Sequence, residues 1–291
     1  MLTVSPAHSV YFMILVTGAT GKVGGQVVTR LLKEGVKVRA LAREPEAADL
    51  PGGVDVVRGD LADPGSLDAA LDGVDKVFLV WPTLAADDAA AEAVRRITER
   101  ARRVVYMSSM GAGVPDGGPV LDSHGLLERL ITESGVEWTF LRGGGFAGND
   151  LAWAKDIQDS GVVREPFGGW RRSLVHEADL AAVGVRALLE DGHVGATYDL
   201  TGPQALSQAE RVRIVGEVTG RPLRFEALSL EEARQQFLSW LPPEAVEATI
   251  ESMLEVTRKP EEVTAAVEEI TGRPALSYRE WVVDHVRDFG G

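Results

Sequence analysis

Residues 13–24 read Met13-Ile14-Leu15-Val16-Thr17-Gly18-Ala19-Thr20-Gly21-Lys22-Val23-Gly24. The opening Met13–Val16 is a short apolar run of the kind a strand buried on both faces requires. It ends in a T-G-x-x-G-x-x-G turn. Residues 22–34 then put Val23, Val27, Val28, Leu31 and Leu32 on one helical face. Gly35 stops that helix. Strand, glycine turn and helix in this order distinguish a dinucleotide-binding turn from a chance cluster of glycines. The first glycine permits the tight turn, the second lets backbone approach a pyrophosphate, and the third lets the helix pack on the strand. The helix N-terminus then offers N–H groups and a partial positive charge to the phosphates. A triphosphate P-loop is excluded, because its spacing and its Ser/Thr after the lysine are absent. This reading makes Thr17, Gly18, Thr20, Gly21, Lys22, Val23 and Gly24 cofactor-binding residues.

Working outward, strands are expected at 36–42, 54–58, 75–80, 103–107 and 137–142. Helices are expected at 66–72, 85–101, 123–134 and 178–190. Strand and helix alternate with short connections, which predicts an α/β, doubly wound parallel sheet of the Rossmann type over 13–200. After about residue 200 the pattern changes. Ser207 caps a helix that Gly220 ends; helices at 229–257 and 260–271 are split by Pro242-Pro243 and Pro260; Tyr278–Phe289 is a last amphipathic helix. Residues 201–291 are therefore expected to form a small, mainly helical C-terminal subdomain on the substrate side. Residues 1–12 look like an upstream extension, and a translation start at Met13 is an equally good reading.

Composition narrows the chemistry. The chain has 291 residues, 44 acidic and 30 basic, for a formal charge of −14, and no cysteine. At this length a full core forms without disulfides or metals. Thiolate catalysis and cysteine-ligated metal are ruled out, and no metal is expected. An acidic chain repels phosphate backbones, so nucleic acid is not an expected partner. No run of about 20 apolar residues suggests a membrane span. The N-terminus lacks the basic start of a secretory signal. A cytoplasmic protein acting on a small molecule is the expectation.

The cofactor's ribose is read at the end of the second strand. An acidic residue there suits the 2′-hydroxyl of NAD; this chain has Leu41-Ala42-Arg43, and a guanidinium suits a 2′-phosphate. Lys22 adds a second cation, so NADP(H) is favoured over NAD(H). After the third strand, Asp60 and Leu61 are placed to contact adenine, although Asp60 reads equally well as a turn residue. Ligands in such sheets lie beyond the carboxyl ends of the strands. That draws Trp81, Pro82 and Ser108 toward the nicotinamide, with Ser109 as a candidate catalytic hydroxyl. It also draws Met110, Gly143, Gly144, Phe146 and Asn149 toward a substrate pocket. Trp153 and Trp170, with Phe146, are candidates for an aromatic wall, although each also reads as core. The glycine-rich stretch 111–122 reads as a lid or as a plain surface loop.

These residues resemble the short-chain dehydrogenase/reductase superfamily, and specifically its atypical NmrA-like branch, with its quinone reductase-like and isoflavone reductase-like enzymes and its nucleotide-sensing regulators. The resemblance rests on 17-TGATGKVG-24, Arg43, 59-GDL-61, 104-VVYMSS-109 and 134-SGVEWTFLR-142, with 173-SLVHEADLA-181 and 201-TGPQALS-207 as further landmarks. It covers roughly residues 13–289. Most catalytic relatives carry a Tyr-x-x-x-Lys dyad that moves the substrate proton. Here Tyr11, Tyr106, Tyr198 and Tyr278 are followed four residues later by Leu15, Met110, Gly202 and Val282. The family pattern puts Val120 at the tyrosine position and His124 at the lysine position. His124 is the candidate catalytic group, donating a proton or binding ribose, with Glu128 one turn on to orient it. His176 is a weaker candidate, with Asp179 beside it expected to cap the helix over 180–190.

Hydride transfer is the nicotinamide's chemistry, and the protein supplies position and electrostatics. A quinone or enone accepts hydride without a strong acid, whereas a simple ketone needs the missing tyrosine. The expectation is therefore an NADPH-dependent reductase of a quinone-like or conjugated carbonyl compound. Two rivals stand beside it: a non-catalytic NADP(H)-sensing regulator, and an epimerase, isomerase or lyase on the same scaffold.

Overall fold

The computed structural model describes residues 12–81, 88–115, 118–239, 241 and 243–291. The expected extension up to residue 11, Pro82, the first three residues of the helix expected at 85–101, two residues of the expected lid (116 and 117) and Pro242 lie outside the described residues.

The elements run β1 (Met13–Val16), α1 (Lys22–Lys33), β2 (Lys37–Ala42), β3 (Asp55–Arg58), α2 (Asp68–Leu71), β4 (Val74–Val80), α3 (Asp88–Arg100), β5 (Arg103–Ser109), α4 (Pro119–Glu133) and β6 (Glu137–Gly143). They continue with α5 (Ala154–Asp159), β7 (Val162–Glu165), α6 (Glu177–Leu189), β8 (Ala196–Leu200), α7 (Gln208–Thr219), β9 (Arg224–Ala227), α8 (Leu230–Leu238), α9 (Pro243–Val256), α10 (Ala266–Thr271) and α11 (Tyr278–Asp284). Seven strands form one sheet in the order β3-β2-β1-β4-β5-β6-β8. The ladders from β3 across to β6 are all parallel. Leu15 of β1 sits between Arg39 of β2 and Val77 of β4. The strand order reverses there, and at that reversal an open parallel sheet leaves a crevice beyond its carboxyl ends. The doubly wound expectation holds.

The chain divides into two compact units: residues up to Gly143 together with Leu180–Asp199, and Gly144–Asp179 together with Leu200–Gly291. This division departs from the expected cut near residue 200. The connection following β6 groups with the C-terminal residues and only α6 and β8 return to the sheet.

In the first unit the sheet is buried by helices whose apolar faces follow the expected spacing. Leu15, Val77, Leu79, Val104 and Tyr106 share a core with Leu71, Val94, Ile97, Leu127 and Ile131. Two buried cations belong to this unit's scaffold. Lys76 Nζ donates to the carbonyl of Leu188 at 2.5 Å, and Arg103 Nη1 donates to the carbonyl of Glu190 at 2.9 Å. Both satisfy carbonyls at the end of α6 that have no helical partner and sit at the negative end of its dipole.

The second unit is not wholly helical, because β7 and β9 pair in parallel. Its core gathers Trp153, Ile157, Val212, Val215, Trp281 and Phe289. Inside it, Arg211 Nη1 donates to both oxygens of Asp150 at 2.5 Å, and the Tyr278 hydroxyl donates to the same carboxylate at 2.7 Å. Ser207 caps α7 with a reciprocal bond from Glu210, and Gly220 ends it in the left-handed region, both as expected. Asp179 is not the helix cap expected for α6, which begins two residues earlier. Its carboxylate instead receives Arg273 Nη2 at 2.6 Å and the Leu276 N–H at 2.7 Å. Among the described residues no helix is long and apolar enough to cross a membrane.

Candidate active site

The glycine turn joins β1 to α1. Gly18 has φ +60, a left-handed conformation that L side chains rarely adopt. A Cβ on Gly24 would lie 2.2 Å from the Gly18 carbonyl oxygen, so the first turn of α1 reaches the loop only because Gly24 has no side chain. Gly18, Thr20, Gly21 and Lys22 are exposed along the loop. Gly21 caps α1 without a side-chain hydrogen bond, and the first helical turn holds no acidic residue. The exposed loop and the positive end of the α1 dipole suit an anion such as a pyrophosphate by charge.

Thr17 takes a different role from the expected one. Its hydroxyl donates to the Val80 carbonyl at 2.9 Å and accepts the Val80 N–H at 2.8 Å. Fully buried, it ties the end of β1 to the end of β4 and shapes the loop, with no free edge for a ligand. Val23 is half-buried in α1 behind the loop.

Arg43 stands exposed after β2, where the 2′-phosphate reading needs it. Beside it is a second arginine, which the sequence pattern did not single out. Arg58, at the end of β3, donates to the Arg43 carbonyl at 2.8 Å and pairs with Glu46 at 3.0 Å. Ala42 and Arg58 are register partners, so aligning the expected ends of β2 and β3 is the signal that brings Arg58 to Arg43. Asp60 is the turn residue of its two readings. Its Oδ1 accepts the Ala62 N–H at 3.0 Å and its own N–H reaches Ser66 Oγ at 2.9 Å. Leu61 is buried, and Trp81 is buried with an indole N–H that has no hydrogen-bond partner among the described residues.

At the ends of β5 and β6 the expected pairings rearrange. Ser108 is buried and its Oγ donates to Glu128 Oε1 at 2.6 Å. The same carboxylate takes a two-pronged contact from Arg142, at 2.9 Å from Nε and 2.6 Å from Nη2. Ser108 is therefore occupied as a structural donor rather than free for a carboxamide. Glu128 does not orient His124. The histidine instead meets Tyr106, whose hydroxyl lies 2.6 Å from Nδ1. Tyr106 and Ser108 share one face of β5 because alternate strand residues do. Phe140 and Arg142 are their register partners on β6. Burial pushes the Tyr106 hydroxyl far above its ordinary pKa, and the nearby Glu128 charge adds to this. Burial also lowers the pKa of His124, against a smaller raising influence of Glu128. Near neutral pH the pair is a protonated phenol against a neutral imidazole.

Ser109 is half-buried, and its hydroxyl donates weakly to the Met110 carbonyl at 3.3 Å. Met110 is half-buried, with its N–H on the Gly143 carbonyl at 2.9 Å. The stretch that reads as a lid or as a plain surface loop is tied to its neighbours at its described residues. Gly113 N–H donates to Leu121 O at 3.2 Å, and a Cβ on Gly125 would lie 2.6 Å from Gly113 Cα. Its last residues, from Pro119, are already α4.

Four of the pocket candidates belong to the second unit together with Gly144, whose N–H is on Leu200 O at 3.0 Å. Phe146 is half-buried and Asn149 exposed. Trp153 is core: its indole N–H donates to Glu165 at 3.1 Å and the Arg211 guanidinium lies over its ring. Trp170 carries the Arg172 guanidinium 4.4 Å above its ring. The expected aromatic wall thus loses Trp153, which the packing of this unit already uses. His176, the weaker histidine candidate, is also buried here and accepts the Ala178 N–H on Nδ1 at 3.1 Å.

A family model described as NAD(P)H-binding matches residues 18–191. The chain is 41% identical over 282 residues to (4-alkanoyl-5-oxo-2,5-dihydrofuran-3-yl)methyl phosphate reductase of Streptomyces griseus, covering 95% of this chain and 99% of the relative. It is 35% identical to an NAD(P)H azoreductase of Xenophilus azovorans, covering 96% and 99%. Among solved structures, the NADPH-dependent quinone oxidoreductase of Escherichia coli in complex with NADPH superposes with a TM-score of 0.74 at 25% identity, covering 94% of this chain and all of that one.

Proposed function

The chain belongs to the NAD(P)H-binding family, and on that premise we propose that it is an NADPH-dependent reductase of a quinone-like or conjugated carbonyl small molecule. The observation that carries the reading is the pairing of an exposed glycine loop at a helix N-terminus with a half-buried, neutral imidazole at the lysine position of the missing dyad. The relatives' names support the substrate class. The Streptomyces enzyme reduces by name a dihydrofuran with a 5-oxo and a 4-alkanoyl group, a conjugated dicarbonyl. The other two are named for an azo and a quinone acceptor.

In this reading Gly18, Thr20, Gly21, Lys22 and Gly24 receive the pyrophosphate, and Arg43 the 2′-phosphate. When bound, the nicotinamide supplies hydride to the acceptor carbon. The chain's own contribution is electrostatic. As the new C–H bond forms, the acceptor's π electrons move onto its oxygen. The imidazole N–H of His124 donates a hydrogen bond to that oxygen as its charge grows. A neutral imidazole is a poor proton donor, so water protonates the resulting enolate or phenolate. That division of labour suits a stabilised anion and fails for a simple alkoxide. The proton-donor role expected for His124 thereby becomes that of a hydrogen-bond donor.

The test is NADPH oxidation with quinones, enones and unactivated ketones. Turnover with the first two, little with the third, and NADPH preferred to NADH are expected. Arg43→Ala should remove most of that preference, on the order of tenfold in KM for NADPH alone. Tight NADPH binding without any turnover would favour the sensing reading instead, which the missing dyad also supports.

A further inference from the structure

We propose that Tyr106 is a positioning residue that fixes His124 in the tautomer with its proton on Nε2, so that the ring presents a hydrogen-bond donor to the acceptor oxygen. The inference rests on the reductase reading for its purpose, but on geometry for its content. Tyr106 is fully buried on β5, and its hydroxyl lies 2.6 Å from His124 Nδ1. Two proton arrangements fit that distance. Either the phenol donates to Nδ1, or Nδ1–H donates to the phenol oxygen.

The second arrangement leaves the phenol hydrogen without an acceptor. Among the described residues the hydroxyl has no hydrogen-bond partner besides His124. A buried donor without a partner is strongly disfavoured. The phenol therefore donates, Nδ1 accepts, and in a neutral ring the one remaining proton sits on Nε2. The ring plane is held as well, since the two ring centroids lie 5.8 Å apart at a 39° tilt. Phe140 supports Tyr106 from β6, edge-on at 6.2 Å. Burial keeps both groups in the protonation states this arrangement needs.

The same reasoning explains why Glu128 is kept from the ring. A carboxylate hydrogen-bonded to Nδ1 would require the proton there and would turn Nε2 into an acceptor. Ser108 and Arg142 hold that carboxylate instead. The site thus uses a neutral phenol, and not a carboxylate, as the histidine's orienting group.

The experiment is long-range ¹H–¹⁵N correlation spectroscopy of the histidine rings at pH 7.5, with His124 assigned by its loss in His124→Gln. The wild-type ring should show the Nε2–H pattern. Tyr106→Phe, which keeps the ring and removes the donor, should shift His124 toward a mixture of tautomers. In the same variant kcat with a quinone should fall on the order of tenfold, with KM for NADPH unchanged. An Nδ1–H pattern in the wild type, or an unchanged His124 pattern in Tyr106→Phe, would overturn the proposal. So would an unchanged kcat in that variant. Should Tyr106→Phe fail to fold, the wild-type pattern alone still decides the tautomer. An Nε2–H ring in a protein that never turns over would leave the tautomer standing and refute the reductase reading and the catalytic purpose given to the ring.

Discussion

One hydrogen bond decides what His124 can do. With Nδ1 held by Tyr106 and the ring kept neutral by burial, it offers a donor but not a labile acid. The two roles differ in pH dependence. An imidazolium acid would be lost as pH rises through its pKa, and the rate would fall about tenfold per unit above it. A neutral donor has no such loss. Because burial lowers the His124 pKa below the ordinary 6.5, the neutral form predominates on the alkaline side of that value. The rate of quinone reduction at saturating NADPH is therefore expected to stay flat from about pH 7 to 9, within the range where an ordinary histidine is neutral. His124→Ala should lower that plateau by about a hundredfold, the scale for loss of one preorganised donor. A steady decline across the range would return His124 to the role of acid. At this scale the partner expected for His124 was wrong: Tyr106, and not Glu128, meets its ring. Helical spacing puts Glu128 one turn from His124, and the sequence carries no local sign that Ser108 and Arg142 hold that carboxylate from neighbouring strands.

The same carboxylate matters at the scale of elements. Glu128 is a polar link between α4 and the carboxyl ends of both β5 and β6, with Arg142 about a quarter exposed. Removing one partner of a buried pair leaves the other charge uncompensated, which costs about 3 kcal/mol. Glu128→Ala is expected to lower unfolding free energy in urea by roughly that amount, slightly less given the exposure of Arg142. A change within about 0.5 kcal/mol, typical of a surface substitution, would show that the link is not structural. The strands and helices that carry this arrangement were legible because their apolar patterns are strong. Expected strands at 54–58 and 137–142 became Asp55–Arg58 and Glu137–Gly143. Three strands were not legible, Ala196–Leu200 among them. Val162–Glu165 and Arg224–Ala227 are four residues each, and their apolar content is too small to show alternation above background. The start of α4 was misplaced for a related reason. Pro119 enters the helix at its first turn, where proline is tolerated, but among glycines it reads as loop.

For the molecule as a whole, T-G-x-x-G-x-x-G decided the first unit, and the sheet order confirms that reading. The second unit was read less well, because its members are distant in sequence. The buried Asp150–Arg211–Tyr278 cluster joins residues 61 and 128 positions apart, a closure no local pattern announces. The acidic balance of −14 made Lys22 and Arg43 conspicuous, and Arg58 stands beside Arg43. Above all, the proposed function requires that hydride pass directly from NADPH to a conjugated acceptor. Turnover with NADPH deuterated at the transferring carbon of the nicotinamide, first at one face and then at the other, followed by mass spectrometry of the product of an enone, tests this directly. Direct transfer predicts a product one mass unit heavier with one of the two labelled cofactors, and unlabelled with the other. Product formed without label from either cofactor, or cofactor bound without any product, would contradict it.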